Sequence, residues 1–231
     1  MKRLILCFIY LIFLSVSLRA EKNEGIAYRD SILILAESMP SDTARLAYLQ
    51  SMAYCHQYFP YNRYFATALY EEAKRQKNIF YENEGAYYLA GYYDKKHDPD
   101  SLTYWVNQLK ELVSGVGTYD YYLERKAAIG RALASKRMIE KAVHVTKEVL
   151  EEAIAHNSNN GKIAAYNSLG CAYSVSSRPE EALKVLMKAY HEFKPGTKPF
   201  LKVDILSRIT QVYGNGGDDK SKMPYLCEMD K

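Results

Sequence analysis

Apolar residues along this chain recur at helical spacing, and further on the whole pattern recurs at a longer interval. Residues 25 to 39 carry Ile26, Ile32, Leu33, Leu35 and Ala36 as one helical stripe, closed by Pro40, Ser41 and Asp42. A second stripe from Thr43 to His56 holds Leu46, Leu49, Met52 and Ala53. Phe59, Pro60 and Tyr61 make a turn, after which Phe65, Ala66, Leu69 and Ala73 line a partner helix. No segment alternates strictly between apolar and polar residues with hairpin turns at its ends. The pattern predicts helix and turn throughout after Glu21.

From Asn83 onward the same chemical roles return every forty residues, in segments starting at Asn83, Leu123, Ile163 and Val203. One offset gives Ala90, Gly130, Gly170 and Thr210, all small. The residue before each is branched and apolar: Leu89, Ile129, Leu169 and Ile209. Three further on stand Tyr93, Leu133, Tyr173 and Tyr213. Later offsets give Leu102, Ala142 and Ala182, then Leu109, Val149 and Ala189. Fixed-period self-similarity marks stacked supersecondary units, which more often bind than catalyse.

Punctuation places the second helix of each unit. Asp98 before Pro99 is a cap followed by a proline at the first helical position. Pro179, Glu180 and Glu181 repeat it eighty residues later, with the acids where the helix dipole favours them; Ile139 and Glu140 hold the intermediate place. Connections between units are predicted around Gly115 and Gly117, Asn157 to Gly161, and Pro195 to Pro199. The last unit offers a first helix from Lys202 to Gly214 and a second from about Lys220, which Pro224 is predicted to break. No polar terminal cap is visible after it.

Tyr166, Leu169, Gly170, Tyr173, Ala182, Leu186 and Ala189 resemble the tetratricopeptide repeat pattern, with Pro195 one place beyond that family's usual terminal proline. Leu89, Ala90 and Tyr93, then Ile129, Gly130 and Ala142, are weaker matches. Leu206, Ile209 and Tyr213 look like the first helix of another unit, and Thr43 to Lys77 like a degenerate one. The resemblance implies an all-α solenoid of about five antiparallel hairpins, near 43–78, 83–116, 123–156, 163–196 and 203–231. Each unit is about six residues longer than the family's, the surplus falling in a connection or a helix. The small residues let neighbouring helices approach, so a bulky side chain at Gly170 or Ala182 is expected to cost about 1–3 kcal/mol.

The resemblance also implies a binding groove lined by the first helices. Its groove positions correspond here to Glu84, Tyr87, Tyr88 and Asp94; to Glu124, Arg131 and Ser135; to Asn167, Cys171 and Ser174; and to Asp204, Arg208 and Gln211. A protein or peptide is the implied partner. The lysine and asparagine set with which some members grip a terminal carboxylate is not supplied. A leader followed by such repeats further resembles the exported sensor part of bacterial membrane regulators, whose kinase or DNA-binding output this sequence does not contain.

Composition changes this picture at one end. Lys2 and Arg3 precede an apolar run from Leu4 to Leu14, and Ser15 to Ala20 precede Glu21. This reads as a signal peptide over residues 1–20, and as export to the periplasm or cell envelope. The run is short for a membrane span, which takes about 20 apolar residues. Membrane attachment would need an uncleaved leader or a further segment. Cys7 follows Leu6, which is not a lipobox pattern. Without residues 1–20 the net charge falls from +4 to +1, so no electrostatic footprint for nucleic acid remains. Cys55, Cys171 and Cys227 are odd in number and far apart, and are expected as buried or partly buried thiols. The 22 tyrosines fit half-buried positions on thin helical stacks; stacking on carbohydrate is the second reading they support.

No metalloprotease, paired-cysteine, phosphate-loop or nucleophile-elbow motif occurs. His56, His97, His144, His156 and His191 are dispersed and read as surface or edge residues, with no metal or cofactor implied. Trp105 reads as packing. Gly214 to Asp219 reads as a turn without calcium-loop spacing. Glu71-Glu72 and Glu151-Glu152 read as solvated helix faces. The sequence therefore points to a non-catalytic binding module.

Overall fold

A computed structural model describes residues 25–57, 59–116 and 119–229. The leader and Cys7 lie outside these residues. Eleven helices are present among the described residues, with no strand. They are α1 (25–38), α2 (Thr43–Cys55), α3 (Asn62–Arg75), α4 (Ile79–Lys95), α5 (Pro99–Val116), α6 (Tyr119–Ser135), α7 (Ile139–Ala155), α8 (Asn159–Val175), α9 (Pro179–His191), α10 (Pro199–Asn215) and α11 (Asp219–Met229). The all-α expectation is met, and helices pack in consecutive pairs. The chain divides into two compact units between Tyr88 and Leu89, within α4.

The first unit holds α1, α2, α3 and the start of α4. Asp42 caps α2 by accepting from the Ala44 and Arg45 amides. Asn62 Nδ2 donates to the Ala53 carbonyl at 2.6 Å, fixing the α2–α3 turn. Leu46, Leu49, Ala53, Phe65, Ala66, Leu69 and Ala73 are buried as the stripes require. On α1 only Ile32 and Ala36 are buried, while Ile26 and Leu35 are exposed, so that stripe is narrower than expected. Glu71 is exposed but Glu72 is not. Glu72 accepts from Ser41 Oγ at 2.5 Å and Gln76 Nε2 at 2.6 Å, and pairs with Arg45 at 3.3 Å and with Arg75. The expected solvated face is half right, because on α3 residue 72 turns inward with Ala73 and Leu69.

The forty-residue recurrence is structural. First helices begin at residues 79, 119, 159 and 199, and second helices at 99, 139, 179 and 219. In the second unit α8 packs on α6, α7 and α9, and α10 on α9, α8 and α11. Each first helix is 17 residues long, which absorbs most of the extra length. Gly115 and Gly161 therefore lie inside α5 and α8, not in the connections where they were expected. Gly161 is in α8 for room: a Cβ there would sit 2.7 Å from Leu123 Cδ1 and 3.1 Å from Ala153 Cβ.

The turns that join each first helix to its second are three residues long and repeat with the helices. His97, Arg137, Ser177 and Gly217 have φ of 51°, 60°, 60° and 75°. The amides of Asp98, Met138, Arg178 and Asp218 donate to the carbonyls of Tyr93, Leu133, Tyr173 and Tyr213. The left-handed residues' own amides reach Asp94, Ala134, Ser174 and Gly214. This is the Schellman arrangement, which satisfies the last helix carbonyls and favours glycine at the left-handed residue. Arg137→Gly should therefore raise stability by about 0.5–1 kcal/mol, read as a higher urea midpoint; an unchanged or lower midpoint would mean the arginine side chain contributes there.

Ala90, Ala142, Ala182 and Ala189 are fully buried, and the glycines at 130 and 170 are buried too. A Cβ on Gly170 would meet Leu186 at 2.6 Å, and one on Gly130 would meet the Thr146 and Ser168 hydroxyls at 2.2 and 2.5 Å. Tyr173 is half-buried, with Arg178 4.7 Å over its ring, and Trp105 is half-buried on α5. α11 runs through Pro224 instead of breaking and buries no residue. Pro224 sits in mid-helix, where it removes one backbone bond, and Tyr225 beside it contacts both Tyr213 and Tyr190. Cys171 is half-buried, as expected, but Cys55 and Cys227 are exposed, a correction to the expectation of buried or partly buried thiols. His97, His144, His156 and His191 are exposed, whereas His56 is half-buried among Tyr28, Phe59, Tyr61 and Phe65.

Candidate binding face

On α4, α6, α8 and α10 the forty-residue register sets equivalent residues side by side. Arg131, Cys171 and Gln211 share one such position. Arg131 Nη2 donates to Asp94 Oδ2 at 2.8 Å, and Arg125 Nη1 lies 3.9 Å from the same oxygen. Gly91 makes room for this pairing, since a Cβ there would stand 2.7 Å from Arg125 Nη2. Burial works against the Arg131 charge. Asp94 and, from α10, Asp204 outweigh it and hold the guanidinium pKa above its ordinary value. Acid on α4, base on α6 and acid on α10 thus form an alternating row in the second unit.

Around this row Ser174, Asp204 and Gln211 are exposed and Arg208 is half-buried. Arg208 enters no ion pair among the described residues, and its Nε has no hydrogen-bond partner. Ser135 is exposed at the end of α6 and donates to the Ala132 carbonyl. Four expected groove residues are buried. Asn167 is fully buried, with neither amide atom hydrogen-bonded. It shares a helical face with Cys171 and Ser174, but lies deeper in the unit. Tyr88 is buried, and Tyr87 is half-buried with its ring against Tyr88 at 5.9 Å. Those two tyrosines and buried Glu84, whose Oε2 accepts from Gln50 at 3.0 Å, belong to the first unit.

Glu124 is the fourth. It is buried, with Oε1 2.6 Å from Lys198 Nζ, and the ammonium sits 4.3 Å over the Tyr121 ring. Burial pushes the Glu124 carboxyl above the usual carboxylate range and Lys198 pulls it part of the way back. The Lys198 amide donates to Asn160 Oδ1 at 3.3 Å. This knot ties the start of α10 to α6. Arg125 and Lys198 were not legible as site residues. The only available signal was Gly91, which occupies the Arg131 register position one unit earlier.

Among the described residues no three His, Cys, Asp or Glu side chains gather to hold a metal, and no helix is long and apolar enough to cross a membrane. The second unit's face carries fixed charge and exposed hydrogen-bonding groups, without a base placed on a nucleophile. The chain matches no protein-family model, and no curated protein is similar to it in sequence.

Proposed function

We propose that this chain is a non-catalytic, tetratricopeptide-like module that binds a protein or peptide through the first-helix face of its second unit. Export to the cell envelope and a role as the sensory or scaffolding part of a regulatory system complete the reading. The observation that carries it is the register of α6, α8 and α10. Forty-residue spacing sets Arg131, Cys171 and Gln211 in line and surrounds them with Ser174, Asp204 and Arg208. Repeat stacks use such successive positions as extended binding surfaces. The leader pattern at residues 1–20 supports export.

Arg208 is the informative position because its charge is uncommitted, so changing it removes no ion pair among the described residues. Capture from envelope extract by the full chain should fall at least tenfold with Arg208→Glu and Gln211→Ala together, at unchanged helical content by circular dichroism. Equal capture by the variant and the parent would reject this face as the binding surface.

A further inference from the structure

The first unit holds a cavity of about 620 Å³ between α1, α2 and α3. Small-molecule sites span about 300–1,000 Å³. Leu33 and Ala36 of α1, Leu49 of α2 and Ala68 of α3 give it apolar wall, and Glu37, Arg45, Glu71, Glu72 and Arg75 supply the charge. The charges are not evenly matched. Glu72 is shared by Arg45 and Arg75, so one carboxylate faces two guanidiniums. Arg45 is further held by the carbonyls of Glu37 and Met39. Arg75 keeps 64% of its side chain exposed, so most of its donors remain open. Glu37 and Glu71 are exposed on α1 and α3 and enter no ion pair among the described residues.

One arginine with open donors, two carboxylates outside any ion pair among the described residues and an apolar wall thus line the same cavity. We propose that it binds a short zwitterionic peptide with apolar side chains. The peptide carboxylate pairs with Arg75, the ammonium with Glu37 and Glu71, and the side chains cover Leu33, Ala36, Leu49 and Ala68. A purely apolar ligand leaves the rim charges unmatched, and a simple cation leaves the open donors of Arg75 unpaired. The site is separate from the first-helix face of the second unit and does not depend on it.

The test is calorimetric titration of the full chain with leucyl-leucine, its N-acetyl form and its C-terminal amide. Saturable binding of the free dipeptide is expected, at least tenfold weaker when either end is capped. Glu37→Gln with Glu71→Gln should weaken the free dipeptide at least tenfold and leave the N-acetyl form unaffected. Ala68→Trp, which fills the cavity and removes no charge, should abolish binding at an unchanged melting temperature. Absent binding to the parent chain overturns the proposal. So does equal affinity of a capped form, or binding that survives in folded Ala68→Trp.

Discussion

Gly85→Ala should produce the steepest loss of stability of any single methyl addition in this protein, about 3 kcal/mol. A Cβ at that position would lie 2.8 Å from the N, Cα and Cβ of Tyr70, so α3 and α4 touch backbone to backbone within the first unit. Alanine in a helix interior normally gains about 1 kcal/mol over glycine. Here that gain is overwhelmed, because no rotamer change can move Tyr70 backbone atoms aside. Gly130→Ala should lose less, about 2 kcal/mol. Its obstacles are two hydroxyls that can rotate: Ser168 Oγ donates to the Ala127 carbonyl at 2.8 Å and Thr146 Oγ1 to the Ala142 carbonyl at 2.7 Å. Rotation gives up a buried hydrogen bond. Gly170→Ala meets only the flexible end of Leu186 and should lose least of the three. Gly214→Ala, with nothing within 4 Å in α10, should gain about 0.5–1 kcal/mol. Urea midpoints across the four variants check both the order and the change of sign. A Gly85→Ala protein as stable as its parent would show that α3 and α4 stand farther apart.

This graded set also shows what the amino-acid pattern made legible. Gly130 and Gly170 were readable as close-approach glycines because they recur with Ala90 at one offset, and the contact each makes is the kind the recurrence demands. Gly85 lies outside that offset and looked like any helix residue; its contact is with α3, which belongs to the irregular hairpin. Gly161 was misread as part of a connection because glycine signals both turns and tight packing, and only tertiary contact separates the two. The left-handed residues of the turns were not legible for the complementary reason. Lys77, His97, Arg137, Asn157 and Ser177 hold the left-handed position with side chains that do not advertise it, so a scan for glycine and proline passes over them. The backbone bonds to the residue five before the next helix's cap compensate by closing each helix end.

The proposed binding face was legible as a stripe but not as a set of charges. The groove positions implied by the resemblance included both Asp94 and Arg131, which pair across successive first helices with Gly91 leaving room beside them. Spacing could not reveal that Asn167 and Glu124 are buried. A helix in the middle of a stack is covered on more sides than its own period implies, and depth is set by neighbours more than a hundred degrees around the helix. Nor could it show that Lys198, in a connection, would reach Glu124 seventy-four positions earlier in the chain.

Lys198→Met should destabilise the protein by about 3 kcal/mol near neutral pH and by much less in acid. Methionine keeps an apolar stem against Tyr121 but removes the ammonium 2.6 Å from Glu124 Oε1. Burial already holds the Glu124 carboxyl above its ordinary range, with Lys198 as the main opposing influence. Removing that influence raises the folded-state pKa further. A carboxyl whose folded pKa exceeds its unfolded value binds its proton more tightly when folded. Its cost is therefore absent below the unfolded pKa, accumulates as pH rises toward the folded pKa, and is complete above it. Parent and variant should accordingly converge in urea midpoint as pH falls toward about 4 and separate by the full amount at neutral pH. Glu124→Gln combined with Lys198→Met should recover most of the loss, since a pair removed together leaves no buried charge behind. A deficit of the same size in acid and at neutral pH would place the effect in lost packing on Tyr121. The start of α10 would then be held to α6 by that ring and by Asn160, with the ion pair contributing little.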